Sequence, residues 1–189
     1  MNFPGYVLGL LLCCLIPLSS SAADRELSWQ EVNEKVTSHY KQQQFYKAEK
    51  YARQAVKIAR RQQPQDPEQL ATALNNLAMI TTHLGNFGEA ETLNKEALGV
   101  RQKAFGMTHP GNATSWNNLG LIYFFVNKMD DAEHCFREAL YILEKNYGAR
   151  SPEVRPALIR LQKFYEKTGK KDKAAAMKKR LGEIPEKKK

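Results

Sequence analysis

The chain has 189 residues, 42% hydrophobic and 26% charged, which is an ordinary composition for one folded domain and excludes disorder except at the ends. Its net charge of +9 sits at one end: residues 155–189 carry 13 Lys/Arg against four Asp/Glu, whereas residues 1–154 hold 16 of each. The basic character therefore describes a terminus, and it excludes a chain that is basic along its whole length.

Residues 6–18 form an uncharged apolar run followed by Ser19-Ser20-Ser21-Ala22-Ala23, small residues of the kind a signal peptidase accepts. The run is shorter than the roughly 20 residues that span a bilayer. Residues 1–23 are therefore expected to be a signal peptide, cleaved after Ala22 or Ala23. No Lys or Arg precedes the run, and the alternative is an uncleaved membrane anchor. Cleavage would leave Cys135 as the one cysteine and allow no intrachain disulfide.

From residue 24 onward the chain repeats. Ala48, Ala90, Ala132 and Ala174 recur every 42 residues, and the same register returns Ala55, Ala97, Ala139 and Leu181, then Ile58, Val100, Ile142 and Ile184. An earlier segment of each unit carries Val32, Leu74, Trp116 and Leu158, then Lys35, Leu77, Leu119 and Leu161. Such a period marks a stack of supersecondary units whose end members need polar outer faces. The units run over about 29–66, 69–109, 112–151 and 154–184, within a repeat domain at 24–184 and ahead of a basic tail at 185–189.

Each unit reads as two helices. Leu74, Leu77, Ala78 and Thr81 line one face of a helix over 72–84, and Gly85 and Gly88 suit the turn into a second helix over 89–105. The third unit repeats this over 115–125 and 130–147, with Asp130-Asp131 placed to cap the second helix and favour its dipole. Pro64, Pro67, Pro110 and Pro152 punctuate the joints between units. Cys135, which shares its repeat position with Tyr51, Leu93 and Met177, reads as a small buried apolar residue.

The segments Thr72-Ala73-Leu74-Asn75-Asn76-Leu77-Ala78, Gly85-Asn86-Phe87-Gly88-Glu89-Ala90-Glu91 and Glu96-Ala97-Leu98, with Ser115-Trp116-Asn117-Asn118-Leu119-Gly120 and Asp131-Ala132-Glu133, resemble tetratricopeptide repeats. The likeness is to the longer form found in kinesin light chains and many bacterial proteins, and covers about residues 29–184. It implies an all-α fold: a right-handed α-solenoid of about three helix pairs plus a C-terminal capping pair, whose first helices line a concave groove. It also implies a non-enzymatic adaptor that holds an extended peptide or a helix of a protein partner. With the apolar leader, the expected location is the bacterial periplasm, or the inner membrane if the leader stays attached. Lys35 and Val36 in unit one, and Gln162 in unit four, depart from the pattern in the manner of caps.

Groove residues would come from the first helices. Asn75-Asn76 and Asn117-Asn118 recur with Asn33 in unit one, and a row of amides can either pair with a peptide backbone or brace neighbouring helices. Met79, Thr82 and His83 stand beside them in unit two, and Leu121 and Phe124 in unit three, with Phe125 assigned to contact with the next unit. The basic set Arg160, Lys163, Lys167, Lys170 and Lys171 is either a solvated cap or a binder of an acidic surface, such as anionic lipid or an acidic protein, with nucleic acid disfavoured by export. His39, His83, His109 and His134 show no paired ligand spacing, no phosphate loop or nucleophile elbow is present, and no catalytic residue, metal or cofactor is expected. Asn112-Ala113-Thr114 is a glycosylation sequon, expected to stay unmodified in a bacterial protein.

Overall fold

The computed structural model describes residues 26–185; the expected signal peptide and residues 186–189 of the tail lie outside the described residues. Within them the chain folds into eight α-helices: α1 (Trp29–Lys41), α2 (Phe45–Arg61), α3 (Pro67–His83), α4 (Phe87–Phe105), α5 (Asn112–Phe125), α6 (Met129–Tyr147), α7 (Arg155–Lys167) and α8 (Lys171–Gly182). They form four antiparallel pairs, each second helix packing also on the first helix of the next pair.

Local chemistry sets these boundaries. Ser28 caps α1 and Glu31 reaches back to it in a reciprocal capping box, while Asp66 caps α3 ahead of Pro67 in its first turn. The turns inside the four pairs share one geometry, with Gln43, Gly85, Asn127 and Gly169 all left-handed at the 42-residue spacing. In each turn the same backbone bond closes the loop: Gln44 to His39, Asn86 to Thr81, Lys128 to Tyr123 and Lys170 to Tyr165, N–H to carbonyl. The turn therefore uses Gly85 as expected, whereas Gly88 lies inside α4 without positive φ. Asp130 and Asp131 occupy the first turn of α6, where they favour its dipole, but α6 has no side-chain cap.

Packing follows the repeat. Ala48, Ala90, Ala132 and Ala174 are buried where helices cross, as are Ala55, Ala97 and Ala139. One apolar cluster runs through α1–α4 and a second joins α6, α7 and α8. Leu98, Leu119 and Cys135 bridge α4, α5 and α6 between them. Gly120 is small because the Phe136 ring fills the space beside it: a Cβ there would lie 2.6 Å from that ring.

Polar bonds tie unit to unit. Tyr123 on α5 donates to Glu91 on α4 at 2.9 Å, and Tyr165 on α7 repeats the bond to Glu133 on α6 at 3.1 Å. The buried Arg101 guanidinium reaches from α4 to Glu68 at 2.8 and 2.9 Å, and to the Gly111 carbonyl. Arg53–Glu89, Arg60–Glu96 and Arg180–Glu144 join successive second helices.

Candidate functional site

The first helices α1, α3, α5 and α7 present the face opposite these ion pairs. α1 touches α3, and α3 touches α5. Tyr40 on α1 and Arg160 on α7 lie near enough to interact electrostatically although α3 and α5 come between them in the chain, so the face is concave. Burial pushes the Tyr40 hydroxyl above its ordinary pKa, with Arg160 opposing, and burial pulls the Arg160 guanidinium down, with Tyr40 opposing.

The asparagine row divides between bracing and exposure. Asn75 is buried and accepts from the Ser115 hydroxyl at 3.0 Å, and its own amide nitrogen is enclosed without a partner among the described residues. Asn117 is half-buried with its amide oxygen likewise enclosed. Asn76 donates to Asn33 at 2.9 Å, joining α3 to α1, and Asn118 donates to Asn94 at 3.3 Å, joining α5 to α4. Asn76 and Asn118 stay half-buried, whereas Asn75 Nδ2 and Asn117 Oδ1 are enclosed away from a ligand.

Two depressions lie along the face. The first, about 420 Å³, is walled by Met79, Thr82 and His83 of α3, by Phe87, and by Asn118, Leu121 and Phe125 of α5. His83 is fixed from the other side, with its ring stacked 4.7 Å from that of Phe45 and Nε2 2.8 Å from the Tyr40 hydroxyl. The second depression, about 260 Å³, lies between α5 and α7 and shares Leu121 and Phe125 with the first. Its apolar walls include Phe124, Phe136, Ile159 and Phe164, and Arg160, Lys163 and Lys167 supply its charge.

Both phenylalanines line the inner face, Phe124 as the sequence assigned it, and Phe125 is the more exposed of the two. Phe124 turns toward the next unit, its ring edge-on to Phe164 at 6.1 Å with Lys167 Nζ 5.6 Å above it. Phe125 turns back toward the preceding unit, stacks on Phe87 at 5.7 Å and stays 57% exposed. Helical geometry separates neighbours by about 100°, which divides the pair but leaves open which points forward. Tyr40 and Phe87 went unnoticed in the sequence. The signal was there, because Tyr40 occupies the repeat position of Thr82 and Phe124.

The basic set is likewise divided. Arg160, Lys163 and Lys167 line the inner depression, while Lys170 pairs with Glu133 on the far side of the unit and Lys171 is exposed at the start of α8. Cys135 is buried, and desolvation pushes its thiol up to about 12, the opposite of a reactive cysteine. Asn112 of the sequon is fully buried and donates to the carbonyls of Gly106 and Met107, so it presents no acceptor nitrogen for a glycan. Among the described residues no three His, Cys, Asp or Glu side chains gather as a metal site, and no helix is long and apolar enough to cross a membrane.

The tetratricopeptide repeat family matches residues 69–145 and 113–186. No curated protein sequence matches the chain. Among solved structures, BtubC (BKLC) from P. vanneervenii superposes with a TM-score of 0.71 at 26% identity, over 80% of this chain and 60% of that one. A Podosopora anserina protein of kinesin light chain type gives 0.67 at 18%, over 80% and 72%. A Rap protein complexed with Competence and Sporulation Factor gives 0.70 at 22%, over 81% and 41%. The chain thus spans 60% of the length of BtubC and 41% of Rap. With two overlapping stretches that together take in more than half of its residues, and with the helix pairs and the turns spaced 42 residues apart described above, the chain belongs to the tetratricopeptide repeat family.

Proposed function

We propose that the chain is a protein-interaction adaptor whose inner face holds an extended segment or a helix of a partner, in the bacterial cell envelope. The observation that carries this reading is the pair of adjoining depressions along α3, α5 and α7, walled by apolar side chains, with Asn118 in the lining of the first. Interface energy concentrates where large side chains fill such recesses and amides satisfy a partner's backbone. The similar Rap structure holds a bound factor, which accords with the reading at the level of fold. Export rests on the apolar run at residues 6–18 and the small residues after it, with an uncleaved anchor as its alternative.

The test replaces Met79 and Phe125 together by Glu, which places charge in the first depression at side chains that are not fully buried. Partners cross-linked in envelope fractions and identified by mass spectrometry should disappear from the variant, while its helical circular dichroism stays unchanged. A variant that captures the same partner as well as the parent would overturn the proposal. A charge-driven role for the whole basic end is weakened by its internal pairing, since Lys170 and Lys173 are tied to Glu133 and Arg180 to Glu144.

A further inference from the structure

We infer that the edge along which successive units join docks on an anionic phospholipid membrane, with Phe105, Met107 and Tyr147 entering the headgroup layer and Lys103, Lys145 and Arg150 meeting its phosphates. This surface lies apart from the inner face and goes beyond the adaptor reading.

Topology assembles the edge. In each antiparallel pair the second helix ends on the side where the first begins, so the joints between units fall along one side of the stack. Phe105 ends α4, Met107 follows it in the joint, and Tyr147 ends α6. Asn146 donates to the Thr108 carbonyl at 2.7 Å, which brings the two joints together. The three side chains are 44%, 65% and 46% exposed, although each is large and apolar or amphipathic.

Charge is the second argument. Lys103, Lys145 and Arg150 flank these side chains and are exposed, with Arg61 at the preceding joint. Several acids of the same edge are occupied within the fold: Asp66 caps α3, Glu68 holds Arg101, and Glu153 receives the Ser151 hydroxyl. Amphipathic rings beside lysine and arginine suit the interface between acyl chains and anionic headgroups. The outer face lacks this character, since its Arg53 and Arg60 are paired with Glu89 and Glu96. On the opposite edge Tyr46 stands in unit one, whereas Phe125 belongs to unit three and stacks on Phe87.

The chain ends are the third. Glu26 borders one recess with Arg61 and Gln62, and Arg155 at the start of α7 binds the carbonyls of Leu181 and Ile184, so both ends of the described chain lie on this edge. The apolar run 6–18 stops eight residues before Glu26, a span of at most about 28 Å, and Lys187-Lys188-Lys189 follow Pro185. A retained run would therefore hold this same edge against the bilayer. A second protein would gain nothing from both chain ends arriving at its contact surface.

The test uses residues 24–189, which hold every described helix without the apolar run, and sedimentation with phosphatidylglycerol vesicles. Binding is expected, at least tenfold weaker on phosphatidylcholine. Lys103→Gln with Lys145→Gln and Arg150→Gln should weaken it about a hundredfold, near fivefold for each cation removed. Met107→Asp with Tyr147→Asp should weaken it about tenfold or more, with circular dichroism of both variants unchanged. Because Cys135 is buried, an environment-sensitive fluorophore can be placed on Met107→Cys or Tyr46→Cys alone. Its emission should rise with vesicles at residue 107 and stay constant at residue 46. Absence of binding, binding indifferent to either set of substitutions, or a rise at residue 46 in place of 107 overturns the proposal. So does light scattering in which Met107→Asp with Tyr147→Asp turns a dimer into a monomer while vesicles are not bound, since the edge would then join two copies.

Discussion

At the scale of single residues, the 42-residue register separates packing from recognition. Gly120 shows the packing side most sharply. It shares its place with Val36, Ala78 and Gln162, and it is glycine because the buried Phe136 ring lies where a Cβ would go. Gly120→Ala is expected to destabilise the protein by about 1–3 kcal/mol through overpacking, read as a lower denaturant midpoint with an unchanged slope. Position predicts small residues here from sequence, but the identity of the opposing ring is a tertiary fact. The amides make the same point in reverse. Asn75 and Asn76 are chemically identical neighbours, and only the fold decides that one is buried against Ser115 while the other stays half-buried and reaches Asn33.

At the scale of helices, Glu133 on α6 organises the joint with the last pair. Its carboxylate receives Tyr165 from α7, Lys170 from the turn and Lys173 from α8, the last at 2.6 Å. Burial alone would push this carboxyl up, but the hydrogen bonds from Lys170, Lys173 and Tyr165 outweigh it and hold it down at about 2. A carboxyl whose folded pKa lies below its unfolded value, near 4.3, stabilises the fold above that value and loses its contribution as pH falls toward 2. Amide-exchange protection of α8 should therefore drop between about pH 4.5 and pH 2. Glu133→Gln should lower stability by about 1–2 kcal/mol at neutral pH and flatten the pH dependence in that window. The helices themselves were legible in the sequence to within a few residues, because their apolar spacing and prolines act locally. The bonds between them were not, since Glu133 and Lys173 stand 40 residues apart with nothing in the local pattern to pair them.

At the scale of the whole molecule, four pairs form a stack whose ends differ. The basic excess that sequence placed at one end resolves into two groups, one on the inner face of α7 and one engaged with α6 or exposed on α8. The last pair also covers an apolar surface, since Ala132, Phe136 and Leu140 of α6 pack in a cluster with Leu158, Leu161 and Phe164 of α7. A chain ending at residue 151 is expected to self-associate and bind a hydrophobic dye, measured by light scattering and dye fluorescence, because that face would meet water. A monomeric, dye-silent fragment would contradict the role of the last pair as a cap. The curvature that lets Tyr40 and Arg160 sense each other has a kinetic consequence as well. A segment long enough to engage both ends of so bent a face must release two footholds to escape. While one end is loose, the other keeps it at high local concentration and it re-engages, so lifetime rather than encounter rate would set the strength of the complex.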